Sequence, residues 1–247
     1  MGQAVCAAVV ADAELDLVAA IGSRIIGSNS GGRSIEGVLL ADELEALAEA
    51  RVDVAVDFTV AAASRITVPW LAARGIHAVV GTTGLDDDDL ALFARSFTTS
   101  NAVVASNFAI SAVLMMRFAE LAAPWFETAE IIELHHDAKV DAPSGTAVST
   151  AGRMARASTN WAPDPTEHEV YPGARGGVGP AGIRMHAVRM RGMVAHQEVI
   201  LGTQGQTLTI RQDSYDRSSY MPGVIVACKQ IASHPGLTVG LDSFLGV

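Results

Sequence analysis

Val52-Asp-Val-Ala-Val-Asp-Phe58 opens a run that continues through Ala61 to Arg74 and Ile76-His-Ala-Val-Val80, and closes on Gly81-Thr-Thr-Gly84. The two short apolar blocks predict strands. Ala61 to Arg74 predicts a helix, with Gly75 as its stop. A strand, a helix and a strand in that order predict two parallel strands joined by a crossover helix. Ligands of such sheets sit beyond the carboxyl ends of the strands. Gly81-Thr-Thr-Gly84 falls at such an end. Alone it is a weak signal, because short Gly/Thr turns are common.

The same alternation extends both ways. Gly2 to Ala11 predicts a helix rich in small residues, and Leu15 to Ile21 a buried strand. Gly22 to Gly37 is rich in Gly, Ser and Asn and reads as a loop. Asp42 to Ala50 has helix formers and an apolar stripe at Leu44 and Leu47. Asp86 to Asp89 crowd the first turn of another helix, where carboxylates meet the positive dipole end; they read as a solvated cap. Ala102 to Ala105 is a further strand. Four polar loops then lie at four successive strand ends: Gly22-Ser23-Arg24, Asp57-Phe-Thr59, Gly81-Thr82-Thr83 and Ala105-Ser106-Asn107-Phe108. Together they point to a nucleotide crevice.

Beyond Asn107 the pattern changes. Ala109 to Ala123 predicts a long apolar helix whose Met115, Met116 and Phe118 suit a core or a subunit face better than a cofactor box. Pro163 to Gly182 is rich in Pro and Gly and contains Arg175; it reads equally as a flap over a site or as a mobile connection. Ile183 to Met190, Val194 to Leu201 and Thr207 to Gln212 predict a meander, turning at Arg191-Gly-Met and Gly202-Thr-Gln-Gly-Gln. Its two apolar faces call for helices on one side and another subunit on the other. A helix from Pro222 to Ser233 and a strand from Leu237 to Leu241 return to the first domain. The expected organisation is α/β. Residues 1–107 and 216–247 form a Rossmann-like dinucleotide-binding domain on a parallel sheet. Residues 108–215 form an α+β substrate and oligomerisation domain on a mixed sheet.

At 247 residues, 49% hydrophobic and 18% charged, the chain has ample material for such cores. A net charge of -10 argues against broad nucleic-acid binding. No apolar run approaches the roughly 20 residues of a membrane span. Cys6 and Cys228 are far apart and make no disulfide framework, which suits a reducing cytoplasm.

The chemistry concentrates in Glu130-Ile-Ile-Glu-Leu-His-His-Asp-Ala-Lys-Val-Asp-Ala-Pro-Ser-Gly-Thr-Ala147. An apolar strand ends at His135 and His136, Lys139 follows on a turn, and Ser144-Gly145-Thr146 starts a helix. Histidine titrates near working pH. Lysine supplies charge and a proton. A helix start offers backbone N–H groups to an anion. A lone histidine at a strand end is usually structural, and so is a lone lysine on a turn. The three together beside a helix start are not so easily dismissed. Adjacent strand residues point to opposite faces, so His135 and His136 are ill placed to share a metal ion, and no metal site is expected.

This stretch resembles the signature of the dihydrodipicolinate reductase family of lysine and diaminopimelate biosynthesis. Val56-Asp-Phe-Thr59, Val80-Gly-Thr-Thr-Gly84, Ser106-Asn-Phe-Ala-Ile110, His186-Ala-Val-Arg189, His196-Gln-Glu198 and the tail from Asp213 to Gly223 match family segments in the same order. The resemblance implies NAD(P)H-dependent reduction of 4-hydroxy-tetrahydrodipicolinate, a cyclic imine dicarboxylate, by a cytoplasmic homotetramer. It makes His135 the proton donor/acceptor and Lys139 a proton donor. His136, Gly145 and Thr146 would bind substrate. Gly81, Thr82, Thr83, Ala105, Ser106, Asn107 and Phe108 would contact NADH or NADPH. Two departures stand out. Ser106 takes a place often held by Pro, and the family's first strand with its Gly-rich turn has no counterpart, Met1-Gly2 resembling the end of that turn. The expectation is a start upstream of Met1. The alternative is a non-catalytic dinucleotide-fold assembly module. Gly22-Ser23-Arg24 lacks a ribose-binding carboxylate, and Arg24 leans slightly toward NADPH.

Overall fold

The computed structural model describes residues 1–22 and 33–247, so Ser23 and Arg24 lie outside the described residues. The elements begin with α1 (Gly2–Ala11), β1 (Ala20–Ile21), β2 (Ser34–Ile35), β3 (Val38–Ala41) and α2 (Glu45–Glu49). Next come β4 (Val54–Asp57), α3 (Ala61–Ala72), β5 (His77–Val80), α4 (Asp87–Ser96) and β6 (Ala102–Val104). Then follow α5 (Ile110–Ala122), β7 (Thr128–His135), α6 (Gly145–Ala157), β8 (Gly177–Val178), β9 (Arg184–Arg189), β10 (Ala195–Thr203) and β11 (Gln206–Ser214). The chain closes with α7 (Met221–Gln230), β12 (Leu237–Val239) and α8 (Asp242–Leu245). It divides into two compact units, Met1–Phe108 with Tyr220–Gly246, and Ala109–Ser219.

The first unit is built on a parallel sheet in the order β12-β6-β5-β4. Ala78, Val79 and Val80 of β5 and Ala102 and Val103 of β6 are wholly buried. That is why these strands read as continuous apolar runs rather than as alternating ones. Val68 and Leu71 of α3 and Phe93 of α4 are buried in the same core. The strand expected over residues 15–21 shrinks to β1. An apolar run becomes a strand only where a neighbour accepts its hydrogen bonds, and β3 pairs with it at two positions only. Within the expected loop, β2 pairs with β3 across Glu36-Gly37, both at positive φ, a hairpin turn. The acidic cap of α4 is only partly solvated. Asp86 and Asp89 form a reciprocal capping box, and Asp89, 7% exposed, also takes Arg65 Nε and Nη2 at 2.8 Å. Arg65 thereby ties α3 to α4.

The second unit carries a five-stranded mixed sheet, β11-β10-β7-β9-β8. The meander expected from the sequence does not form. β7 lies between β9 and β10, parallel to β9 and antiparallel to β10. The reason is the helix between β7 and β9. A strand that follows a crossover helix returns parallel to its predecessor and takes one edge of it, which leaves the other edge for β10. β10 and β11 do form the expected hairpin, turning at Gln204-Gly205 with Gly205 at φ +81°. One face of the sheet, with Ile131, Val199 and Leu201, is buried together with Met115 and Met116 of α5 and Met154 of α6. The other face presents half-buried Ile132, Leu134, Val188 and Ile200.

The Pro/Gly-rich stretch is stapled to this sheet. Arg175 reaches Glu130 of β7 with a fork at 2.6 and 3.1 Å, and Asp164 pairs with Arg184 of β9. Hydrogen bonds from the Thr166 hydroxyl and amide, then from Arg184, lower the Asp164 pKa from 3.8 to about 2. Depressed carboxylates stabilise above their ordinary value and lose that contribution as pH falls through the folded one. The staple therefore holds at pH 5 and weakens between 3.8 and about 2. Arg175→Ala is expected to raise chymotryptic cleavage after the exposed Tyr171 several-fold, while the melting temperature changes little. Equal cleavage rates in both proteins would show that the ion pairs do not hold this stretch.

Candidate active site

His135 is the last residue of β7, on the same face as Ile131 and Glu133, beneath α6. Alternation along the strand sets this face. Glu133 is wholly buried. A buried carboxylate needs every lone pair answered, and four donors do so. Arg189 gives Nη1 and Nη2 at 2.8 Å each, His135 Nδ1 lies at 2.5 Å, and the Ser144 amide at 3.0 Å. Strand register explains the meeting: β9 runs parallel to β7 with Arg189 opposite His135. Glu133 thus joins the end of β7, the end of β9 and the start of α6.

Electrostatics follow from this arrangement. Burial works to raise the Glu133 pKa, but the Arg189 and His135 hydrogen bonds and charges outweigh it and keep Glu133 ionised below its ordinary range. Burial lowers the His135 pKa; Glu133 opposes this, while the Lys139 and Arg189 charges add to it. Hydrogen bonds connect Lys139 with His135: Arg189, bound to Glu133 beside His135, also holds Asp141, the partner of Lys139. Lys139 Nζ sits between both Asp141 oxygens at 2.8 Å, and its side chain is 19% exposed. Arg189 also donates to the Asp141 carbonyl at 2.6 Å, which fixes the loop between the turn and α6.

The start of α6 is formed as the sequence predicts. Ser144 is its N-cap and accepts from the Ala147 amide at 3.2 Å. Gly145 is exposed, and a Cβ there would meet open space. Thr146 is half-buried and its carbonyl accepts from Thr150. His136 is exposed on the turn, where its carbonyl accepts from the Lys139 amide. The structure therefore groups His135, Lys139 and the first turn of α6, with His136 on the outer side of the turn. Sequence reasoning passed over Glu133, Arg189 and Asp141 as site residues. Glu133 did leave a signal: a charged residue two places from Ile131 on a buried strand face needs a partner.

The first unit presents its own loops at the carboxyl ends of β4, β5 and β6. Asp57, 5% exposed, accepts from the Thr59 amide and hydroxyl at 2.8 and 2.6 Å and from the Ser64 hydroxyl at 2.8 Å. Ser64 in turn meets the Thr82 hydroxyl at 2.9 Å. Thr82, Ala105 and Phe108 are buried, so their side chains shape the loops from within; Thr83 and Ser106 are exposed, and Gly81 and Asn107 are half-buried. Gly81 packs on the Phe58 ring so closely that a Cβ would lie 2.1 Å from it. Phe58 in turn packs against Phe108, with ring centroids 5.4 Å apart. Gly81 is thus a place where backbone rather than side chain meets its surroundings.

Residues 1–108 match the family described as dihydrodipicolinate reductase, N-terminus, and residues 111–245 match its C-terminus. A 4-hydroxy-tetrahydrodipicolinate reductase of Corynebacterium aurimucosum is 50% identical, over 92% of this chain and 95% of its own length. Another, of Nocardia farcinica, is 48% identical over 99% and 94%. The dipicolinate-bound dihydrodipicolinate reductase of Paenisporosarcina sp. TG-14 superposes with a TM-score of 0.88 at 36% identity, over 98% of this chain and 94% of that one. With a parallel sheet whose polar loops end its strands, these likenesses define a Rossmann-like NAD(P)H-dependent oxidoreductase. Within that class the chain belongs to the dihydrodipicolinate reductase family.

Proposed function

We propose that this chain reduces 4-hydroxy-tetrahydrodipicolinate to tetrahydrodipicolinate, using NADH or NADPH, in lysine and diaminopimelate biosynthesis. The observation that carries the reading is the grouping of His135, Lys139 and the open first turn of α6 on one buried Glu133–Arg189 support. The substrate is a ring with two carboxylates. The amide end of α6 at Gly145 and Thr146 suits one of them, because glycine allows close approach and the helix dipole favours the anion. His136, outside the turn, supplies a further contact to the substrate. His135 and Lys139 hold the protons that complete reduction, and a cationic donor stabilises charge developing on the ring.

The first unit's loops suit a dinucleotide. Gly81 packs on Phe58, which fixes the loop backbone at the end of β5, and the Asp57 network keeps the Thr82 hydroxyl turned inward. Gly81, Thr83, Ser106 and Asn107, with the backbone of Thr82, Ala105 and Phe108, would hold the cofactor. When bound, the nicotinamide supplies the hydride. Departure of NAD(P)H absorbance on adding freshly made cyclic imine tests the assignment. A folded protein that shows no turnover would reject it in favour of an assembly module. The half-buried apolar face of the mixed sheet supports a homotetramer, which light scattering would report. Free Cys6 and Cys228 agree with a cytoplasmic setting. Among the described residues, no helix is long and apolar enough to cross a membrane.

A further inference from the structure

We propose that Glu133 and Arg189 act together as the positioning element of His135: Glu133 holds a proton on Nδ1 so that Nε2 is the exchanging atom, and Arg189 offsets the carboxylate's charge. This rests on the reading of His135 as the proton carrier. The geometry carries the assignment. Nδ1 lies 2.5 Å from Glu133 Oε2, and an ionised carboxylate only accepts, so the Nδ1 proton points at Glu133. Glu133 is wholly buried and has no freedom to follow a turning imidazole, being held by Arg189 and the Ser144 amide. The ring orientation is therefore set by a carboxylate that solvent does not reach.

The two charges have opposite effects on the imidazole. A lone buried carboxylate at this distance would hold the imidazolium so firmly that it gave up its proton reluctantly. The bidentate guanidinium removes much of that pull. Lys139, itself paired with Asp141, is the other charge that acts on the ring. In the step served, the Nε2–H bond breaks and its proton joins the ring that has taken up the hydride pair. The bonding electrons stay on Nε2, the other proton stays on Nδ1 in its hydrogen bond to Glu133, and a solvent proton later restores the imidazolium.

A purely structural weld between β7, β9 and α6 predicts something different. Loss of either member would weaken the fold and depress activity alike, with no sign attached to the His135 titration. The test is nitrogen-15 NMR of the histidine side chains across pH, with the His135 signals identified by their loss in His135→Gln. Free wild-type protein should show the Nδ1–H tautomer at His135. Glu133→Gln should move the His135 titration down, and Arg189→Gln should move it up, each by about one pH unit. Glu133→Gln should also lower kcat at least about tenfold with KM little changed.

An Nε2–H tautomer in the wild type would overturn the proposal. So would shifts of the same sign in both variants, or no shift in either. The wild-type tautomer decides even where a variant does not fold. These spectra need no substrate, so absence of turnover with the cyclic imine would count against the function and leave the positioning result standing.

Discussion

Replacing His135 with Ala is expected to lower kcat by about 10²- to 10⁴-fold, the range general acid–base groups contribute. KM should change far less, because the substrate carboxylate is assigned to the first turn of α6 and not to the imidazole. Lys139→Ala should behave the same way. The fold should tolerate both changes. Side chains at 135 and 139 are partly exposed, at 16% and 19%, and neither lies in the apolar core. Removing His135 leaves Glu133 with Arg189 and the Ser144 amide, so no buried charge is orphaned. Steady-state kinetics with circular dichroism as a control would check this. A loss carried entirely by KM would remove both residues from the proton-transfer role.

Gly223→Ala is expected to be among the most damaging single-methyl changes in the chain. Ala is normally better than Gly inside a helix, by about 1 kcal/mol. Here space decides against it. A Cβ at 223 would lie 2.1 Å from the Phe108 carbonyl oxygen and 2.9 Å from Leu241 Cδ2. Backbone does not step aside as a side-chain tip does, so α7 or the segment at Phe108 must move. Overpacking of this kind costs about 1–3 kcal/mol, and a clash with backbone belongs at or above the upper end. A 3 kcal/mol loss lowers Tm by roughly 6–12 °C in a chain of this size. Because Phe108 ends one of the loops assigned to the cofactor, affinity for NAD(P)H should fall as well. Gly145→Ala is the matched control: a Cβ there meets open space, so stability should hold while substrate affinity drops. A thermal melt of Gly223→Ala indistinguishable from wild type would contradict this packing.

The parts of the fold legible in the sequence were those set by local pattern. Continuous apolar blocks at Val54, His77 and Ala102 marked buried parallel strands, and Gly75 marked the end of α3. Ser144-Gly145-Thr146 marked the start of α6. Local pattern failed where an element depends on a partner from elsewhere. The apolar run 15–21 became a two-residue strand because, among the described residues, β3 alone pairs with it, at two positions. Asp89 read as a solvated carboxylate, and is buried because Arg65 arrives from α3.

By itself the sequence determined most of the strands and helices, and which titratable side chains, His135 and Lys139, stand together beside a helix start. Hydrophobic period and capping residues act over a few neighbours, and His135, Lys139 and Gly145 lie within one such span. Which strand lies beside which was decided only in the tertiary structure. β7 sits between β9 and β10 because a crossover helix returns its following strand parallel, and strand pairing joins residues far apart in the chain. That pairing sets Arg189 beside Glu133, 56 positions away, and so supports the imidazole.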